Sequence, residues 1–119
     1  MLTKTEVAEF AEHWVAAWNS HNLEEIMSHY EEAVELISPV AAQLLQDPSG
    51  RVIGKDALRS YFKRGLEAYP DLEFTLKDMM WGLNSIVLYY TNQKGTRTGE
   101  YMEISPNGKV TRAVANYSG

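Results

Sequence analysis

The sequence has no cysteine, which excludes disulfides, thiolate metal sites and a cysteine nucleophile. Histidine is nearly as scarce. His13, His21 and His29 stand eight residues apart, so no two form an i, i+4 chelating pair, and no metal or other cofactor is expected. No apolar run approaches the roughly 20 residues needed to span a bilayer, so no membrane partner is expected. The first residues, Met1-Leu2-Thr3-Lys4-Thr5-Glu6, lack a basic stretch followed by an apolar one. No secretory signal is expected there, and the expected compartment is the cytoplasm. Glycine-rich phosphate loops and H-E-x-x-H are absent. Ser38 has no His–Asp arrangement near it in sequence, so a hydrolase triad is not supported. Bases are outnumbered, eleven against sixteen acids. Residues 1–35 hold eight glutamates and a single base, Lys4. Such a region repels phosphate, which argues against nucleic acid, and it reads as a solvated helical face.

Of the 119 residues, 45% are hydrophobic, with seven tyrosines and three tryptophans. One globular domain spanning residues 1–119 is expected, long enough to bury a core without staples. Thr3 and Glu6 have the spacing of a capping box. Val7, Phe10, Ala11, Trp14 and Trp18 follow at three- and four-residue steps, which predicts an amphipathic helix over residues 4–19. Asn22 caps a second short helix, with Leu23, Ile26, Met27 and Tyr30 on its apolar side. Residues 33–38 read as a strand ended by Pro39, and 39–50 as a loop with at most a helical turn at 41–45. Residues 51–53 read as a brief edge strand. A third helix opens after Gly54, with Leu58, Tyr61, Phe62, Gly65, Leu66 and Tyr69 on one face, and stops before Pro70. Four strand-like runs follow at 72–80, 85–92, 98–104 and 110–117. Asn107-Gly108 is a strong hairpin signal between the last two. Helices first and a meander after them predict an α+β domain with the helices on one sheet face.

Several strings carry a resemblance. Residues 10–19, Phe-Ala-Glu-His-Trp-Val-Ala-Ala-Trp-Asn, precede Asn22-Leu23-Glu24. Tyr30-Glu31-Glu32-Ala33-Val34 enters the first strand, Gly54 to Phe62 begins the third helix, and Asn107-Gly108-Lys109-Val110 turns the last hairpin. In that order they resemble the nuclear transport factor 2-like superfamily, especially its SnoaL-like and ketosteroid isomerase-like branches. The resemblance implies a cystatin-like fold. In it a cone-shaped, curved antiparallel sheet wraps a long N-terminal helix, with two further helices and a pocket inside. It also implies a homodimer through the outer sheet face. Members of the superfamily include isomerases, polyketide cyclases, epoxide hydrolases, dehydratases and plain binding domains, so the fold alone does not settle the chemistry.

By the same resemblance, the isomerase branch places chemistry at three positions. A tyrosine donor on the first helix corresponds to Trp14, an aspartate base before the strand-ending proline to Ser38, and an acid in the penultimate strand to Glu100. An indole N–H can donate a hydrogen bond. A serine hydroxyl is no general base unaided, so Glu100 is the principal candidate catalytic residue and Ser38 the second. If Glu100, Met102 and Ile104 share the buried face, burial raises the Glu100 pKa. A one-residue change of register would put Tyr101 inside instead. The resemblance makes Trp14, Trp18, Tyr30, Val40, Tyr61, Phe74, Tyr90, Met102 and Tyr117 candidate ligand-binding residues, with Ala113 and Ala115 beside them. For any one of these residues plain core is the commoner role. Tyr89, Tyr101, Glu103, Arg112, Val114 and Asn116 would then face outward. Two roles stay open: an isomerase, cyclase or hydratase acting on a small apolar or aromatic substrate through Glu100, or a non-catalytic ligand-binding or dimerisation domain.

Overall fold

Thr3 caps the first helix, α1 (Lys4–Ser20), through the expected box: its hydroxyl accepts from the Glu6 N–H, and the Glu6 carboxylate accepts from the Thr3 N–H. The stripe Val7, Ala11, Trp14, Ala17 and Trp18 is buried. Deleting a buried aromatic of this size costs about 3–5 kcal/mol, so the two indoles tie α1 firmly to the core. His21 ends the helix in the left-handed region, at φ 59°. Asn22 then caps α2 (Leu23–Met27) by accepting from the Glu25 N–H. This description rests on a computed structural model, which describes residues 2–118.

The first strand, β1, is Tyr30–Ile37. It begins three residues before the periodicity suggested, because the Tyr30 ring is already part of the core. Pro39 does not simply end a strand. It occupies the first turn of α3 (Pro39–Leu44), where a missing N–H costs nothing, and Ser38 is the cap. The segment read as mostly loop therefore opens with a helix of six residues, longer and earlier than the turn expected at 41–45. After β2 (Arg51–Ile53), α4 (Lys55–Ala68) starts behind Gly54, whose φ of 91° suits a residue without Cβ. The remaining strands are β3 (Thr75–Trp81), β4 (Ser85–Thr91), β5 (Arg97–Ile104) and β6 (Val110–Tyr117). Residues 72–74, expected in β3, are instead held by the end of α1. The Asn19 amide bonds both backbone groups of Phe74, and the His21 ring bonds the Leu72 carbonyl.

The six strands form one sheet in the order β2-β1-β6-β5-β4-β3. All pairs are antiparallel except β1 with β6, which is parallel because helical connections separate them in the chain. Register irregularities in β3–β4, β5–β6 and β1–β6 add twist and curl the sheet. The helices lie against the concave face, with α1 packed on β3 and α4 on β1. Strict alternation then sorts the side chains. Ile86, Leu88, Tyr90, Thr98, Glu100 and Met102 point in; Val87, Tyr89, Tyr101 and Glu103 point out. Among the described residues, no helix is long and apolar enough to cross a membrane.

Candidate functional site

The concave face does not close completely on the helices. A cavity of about 420 Å³ remains, a size that suits a small organic molecule. Its walls come from α1 (Trp14, Trp18), β1 (Tyr30, Leu36), α4 (Tyr61, Phe62, Gly65), β4 (Tyr90), β5 (Thr98, Glu100) and β6 (Ala115, Tyr117). The rings pack edge and face. Trp14 stacks on Phe74 with centroids 5.8 Å apart, and Phe74 meets Tyr90 at 4.4 Å. Trp18 meets Phe62 edge-on at 4.7 Å.

Glu100 is the acid of this interior. Its inward orientation follows from β5 register: it pairs with Leu88 on one side and Ala115 on the other, both buried. Tyr101 accordingly lies on the outer face. Glu100 is 6% exposed, and among the described residues it has no cationic partner. The Tyr90 hydroxyl, on the neighbouring strand and diagonal to it, donates to Glu100 Oε1 at 2.8 Å. Burial pushes the carboxyl up to about 7, and the Tyr90 bond only partly opposes it. The phenols feel the same medium. Tyr30 and Tyr90 are held above the usual phenol range, first by burial and then by the Glu100 charge. They stay protonated and available as donors.

Trp14 reaches this group indirectly. Its Nε1 donates to the Tyr30 hydroxyl at 3.1 Å, which leaves the Tyr30 proton free to be donated elsewhere. Trp18 Nε1, near the same phenol, makes no hydrogen bond of ordinary geometry. Ser38 lines the cavity and is 3% exposed, but its Oγ accepts from the N–H groups of Val40 (3.2 Å) and Ala41 (3.5 Å). Its oxygen is engaged as a helix cap. It also sits beside the phenols of Tyr61 and Tyr117; burial pushes Tyr61 up to about 12, and Ser38 moderates the rise.

The other candidates divide. Val40, Tyr61, Phe74, Ala115 and Tyr117 line the cavity, with Tyr117 at the rim and 38% exposed. Met102 and Ala113 do not. Met102 is fully buried, between Ile86 and Ala113 in the ladder, and belongs to the solid core. The sequence reading missed Phe62, Gly65, Tyr69, Leu72, Lys94 and Thr98 as wall residues. The helical step Tyr61, Gly65, Tyr69 carried a usable signal. Lys94 carried none, being an ordinary turn lysine by sequence. Among the described residues, no three His, Asp or Glu side chains gather where they could hold a metal ion.

A SnoaL-like domain profile matches residues 11–115. The chain belongs to the SnoaL-like family. No curated protein matches this SnoaL-like domain by sequence. Among solved structures, it is similar to a SnoaL-like protein of unknown function from Burkholderia thailandensis, with 34% identity and a TM-score of 0.93, covering 98% of each chain. A protein described as having a cystatin-like fold, from Methylobium petroleophilum, shares 11% identity at a TM-score of 0.77; the alignment covers 99% of this chain and 79% of that one. TerC, crystallised with polyporic acid, shares 14% identity at a TM-score of 0.77, with 95% and 92% covered. The last two likenesses speak for the fold alone.

Proposed function

We propose that the cavity binds a small, mostly apolar or aromatic molecule and that Glu100 exchanges a proton with it, as in an isomerase, cyclase or hydratase. The observation that supports this reading most directly is a buried carboxyl without a counter-cation, poised near neutrality and opening on an aromatic cavity. Near pH 7 such a group is present in both forms. The acid form donates to a ligand oxygen, and the carboxylate form takes a proton from an adjacent carbon. Tyr30, itself held by Trp14, supplies a second donor from β1. The TerC structure holds an organic acid in a related fold, which fits a ligand-binding role.

The test is proton exchange at carbon. Aryl ketones incubated with the protein in deuterated buffer should gain deuterium beside the carbonyl, read by mass spectrometry. Glu100→Gln should abolish the gain while keeping the fold and the ligand. Undiminished exchange in that variant would remove Glu100 from the chemistry. One observation favours a second reading, binding without turnover: the Ser38 oxygen is committed to capping α3 and supplies no second base. Exchange that never exceeds the buffer rate, with ligand bound, would select it.

We further infer that two copies pair through the outer sheet face. There Met80, Val87, Tyr101 and Val114 stand side by side across four strands, an apolar row across the outer face. Light scattering should give about twice the 13.5 kDa chain mass. A monomer mass at micromolar concentration would count against the pairing.

A further inference from the structure

The cavity is chemically two-ended. Its inner end holds Glu100, Tyr30 and Tyr90. Its rim holds Gln43, Tyr69, Asn92, Gln93, Lys94 and Thr96, and Lys94 is the one cation among all the lining residues. The turn that carries Lys94 is well braced. Asn92 Oδ1 accepts from the N–H groups of Lys94 (2.9 Å) and Thr96 (3.0 Å), and the Asn92 N–H donates to the Thr96 carbonyl at 3.1 Å. Gly95, at φ 79°, closes the turn in a conformation that disfavours a side chain. The Lys94 ammonium stands 5.7 Å from the centroid of the Tyr69 ring, itself a rim residue, so it is held over the opening. Arg51, Arg59 and Arg112 all have carboxylate partners; among the described residues, Lys94 has none.

Electrostatics gives a bound ligand a direction. An anion pushed to the inner end would lose its hydration beside another acid, with no cation to replace it. At the rim it keeps part of its water and gains an ammonium. The two ends are separated by four residues of extended chain, Thr96 to Glu100, which is about 13 Å. We propose that the site selects elongated aryl ligands that carry an anionic group, a carboxylate or a sulfonate, at the end that meets Lys94. The opposite, uncharged end then lies at Glu100. This specificity rests on the reading of the cavity as the ligand site.

Two fluorescent probes separate the two ideas. 8-Anilinonaphthalene-1-sulfonate and N-phenyl-1-naphthylamine share an aromatic body and differ by the sulfonate. Both are titrated at low salt against the wild type, Lys94→Gln, Lys94→Arg and Gly65→Leu. The affinity ratio of the sulfonate to the amine should fall about two- to fivefold in Lys94→Gln, the scale of one exposed ion pair. It should be kept in Lys94→Arg, and the amine alone should bind all Lys94 variants equally. Added salt should erase the wild-type preference. Gly65 sits in α4 at the cavity wall, and an added Cβ there meets no atom within 4 Å, so Gly65→Leu puts a side chain into the opening and should weaken both probes. If Gly65→Leu weakens both but Lys94→Gln leaves the ratio unchanged, the rim assignment is overturned and the cavity reading survives. If Gly65→Leu weakens neither, or the amine fails to bind the wild type, both are overturned.

Discussion

Two glutamates on opposite faces of one sheet have opposite fates. Glu35, on the outer face of β1, lies between Arg51 and Arg112; their hydrogen bonds and charges hold its carboxyl below the usual range. Glu100, on the inner face of β5, has among the described residues a tyrosine hydroxyl and no cation as its polar partner, and burial raises it to about 7. The residue type is the same and the strands share a ladder through β6. Solvent and partners make the difference. The outer face keeps its charges paired and wet, which is cheap and chemically inert. The inner face strands one acid among rings, which is costly to the fold and, under the proposed function, is the group that moves the proton.

The largest test of this contrast is a pH series on Glu100→Gln. The folded carboxyl titrates near 7 against 4.5 when unfolded, so the folded state holds its proton more tightly. Stability is then complete below about pH 4.5 and falls as pH rises through 7, by an amount on the order of 3 kcal/mol. Glu35 has the opposite sign, contributing at neutral pH and losing its contribution on acidification. Urea unfolding of wild type and Glu100→Gln should therefore converge near pH 4.5 and separate by pH 8, with the variant the more stable. Parallel profiles would show that Glu100 is not an isolated buried acid.

A smaller effect concerns the space the inner face keeps open. Gly65 lies inside α4, where glycine is less favourable than alanine by about 0.5–1 kcal/mol, and no steric reason forbids a side chain there. Gly65→Ala should raise the melting temperature accordingly, at some loss of ligand affinity. A destabilised variant would mean that the position is constrained by packing and not by the opening. The smallest effect on the stability of the separated chain belongs to the outer face. Tyr101→Glu, which gives up the hydrogen bond to Glu103, should shift that stability little and return a dimer to the monomer mass. An unchanged mass would move the self-association surface elsewhere.

Much of the fold was legible in local pattern. The capping box at Thr3, the indole stripe of α1, the stop before Pro70 and the Asn107-Gly108 hairpin are short-range signals, and each element formed where it was expected. Errors arose where a residue has two local meanings. Pro39 ends a strand or begins a helix with equal ease, and only the Ser38 cap decides. Leu72 to Phe74 is apolar enough for a strand, but Asn19 and His21, some fifty residues earlier, take its backbone bonds. Met102 shares a face with Glu100, yet one step along β5 the cavity has already closed.

The amino-acid sequence by itself determined most of the helices and strands, the aromatic supply and the existence of an acid at position 100, because these depend on neighbours a few residues away. The tertiary structure alone decided which way Glu100 points, that Tyr90 donates to it, and that Lys94 stands over the opening. Those outcomes depend on sheet register and on curl, set by pairings between distant strands. A shift of one residue in that register would exchange Glu100 for Tyr101 and leave the cavity without its acid.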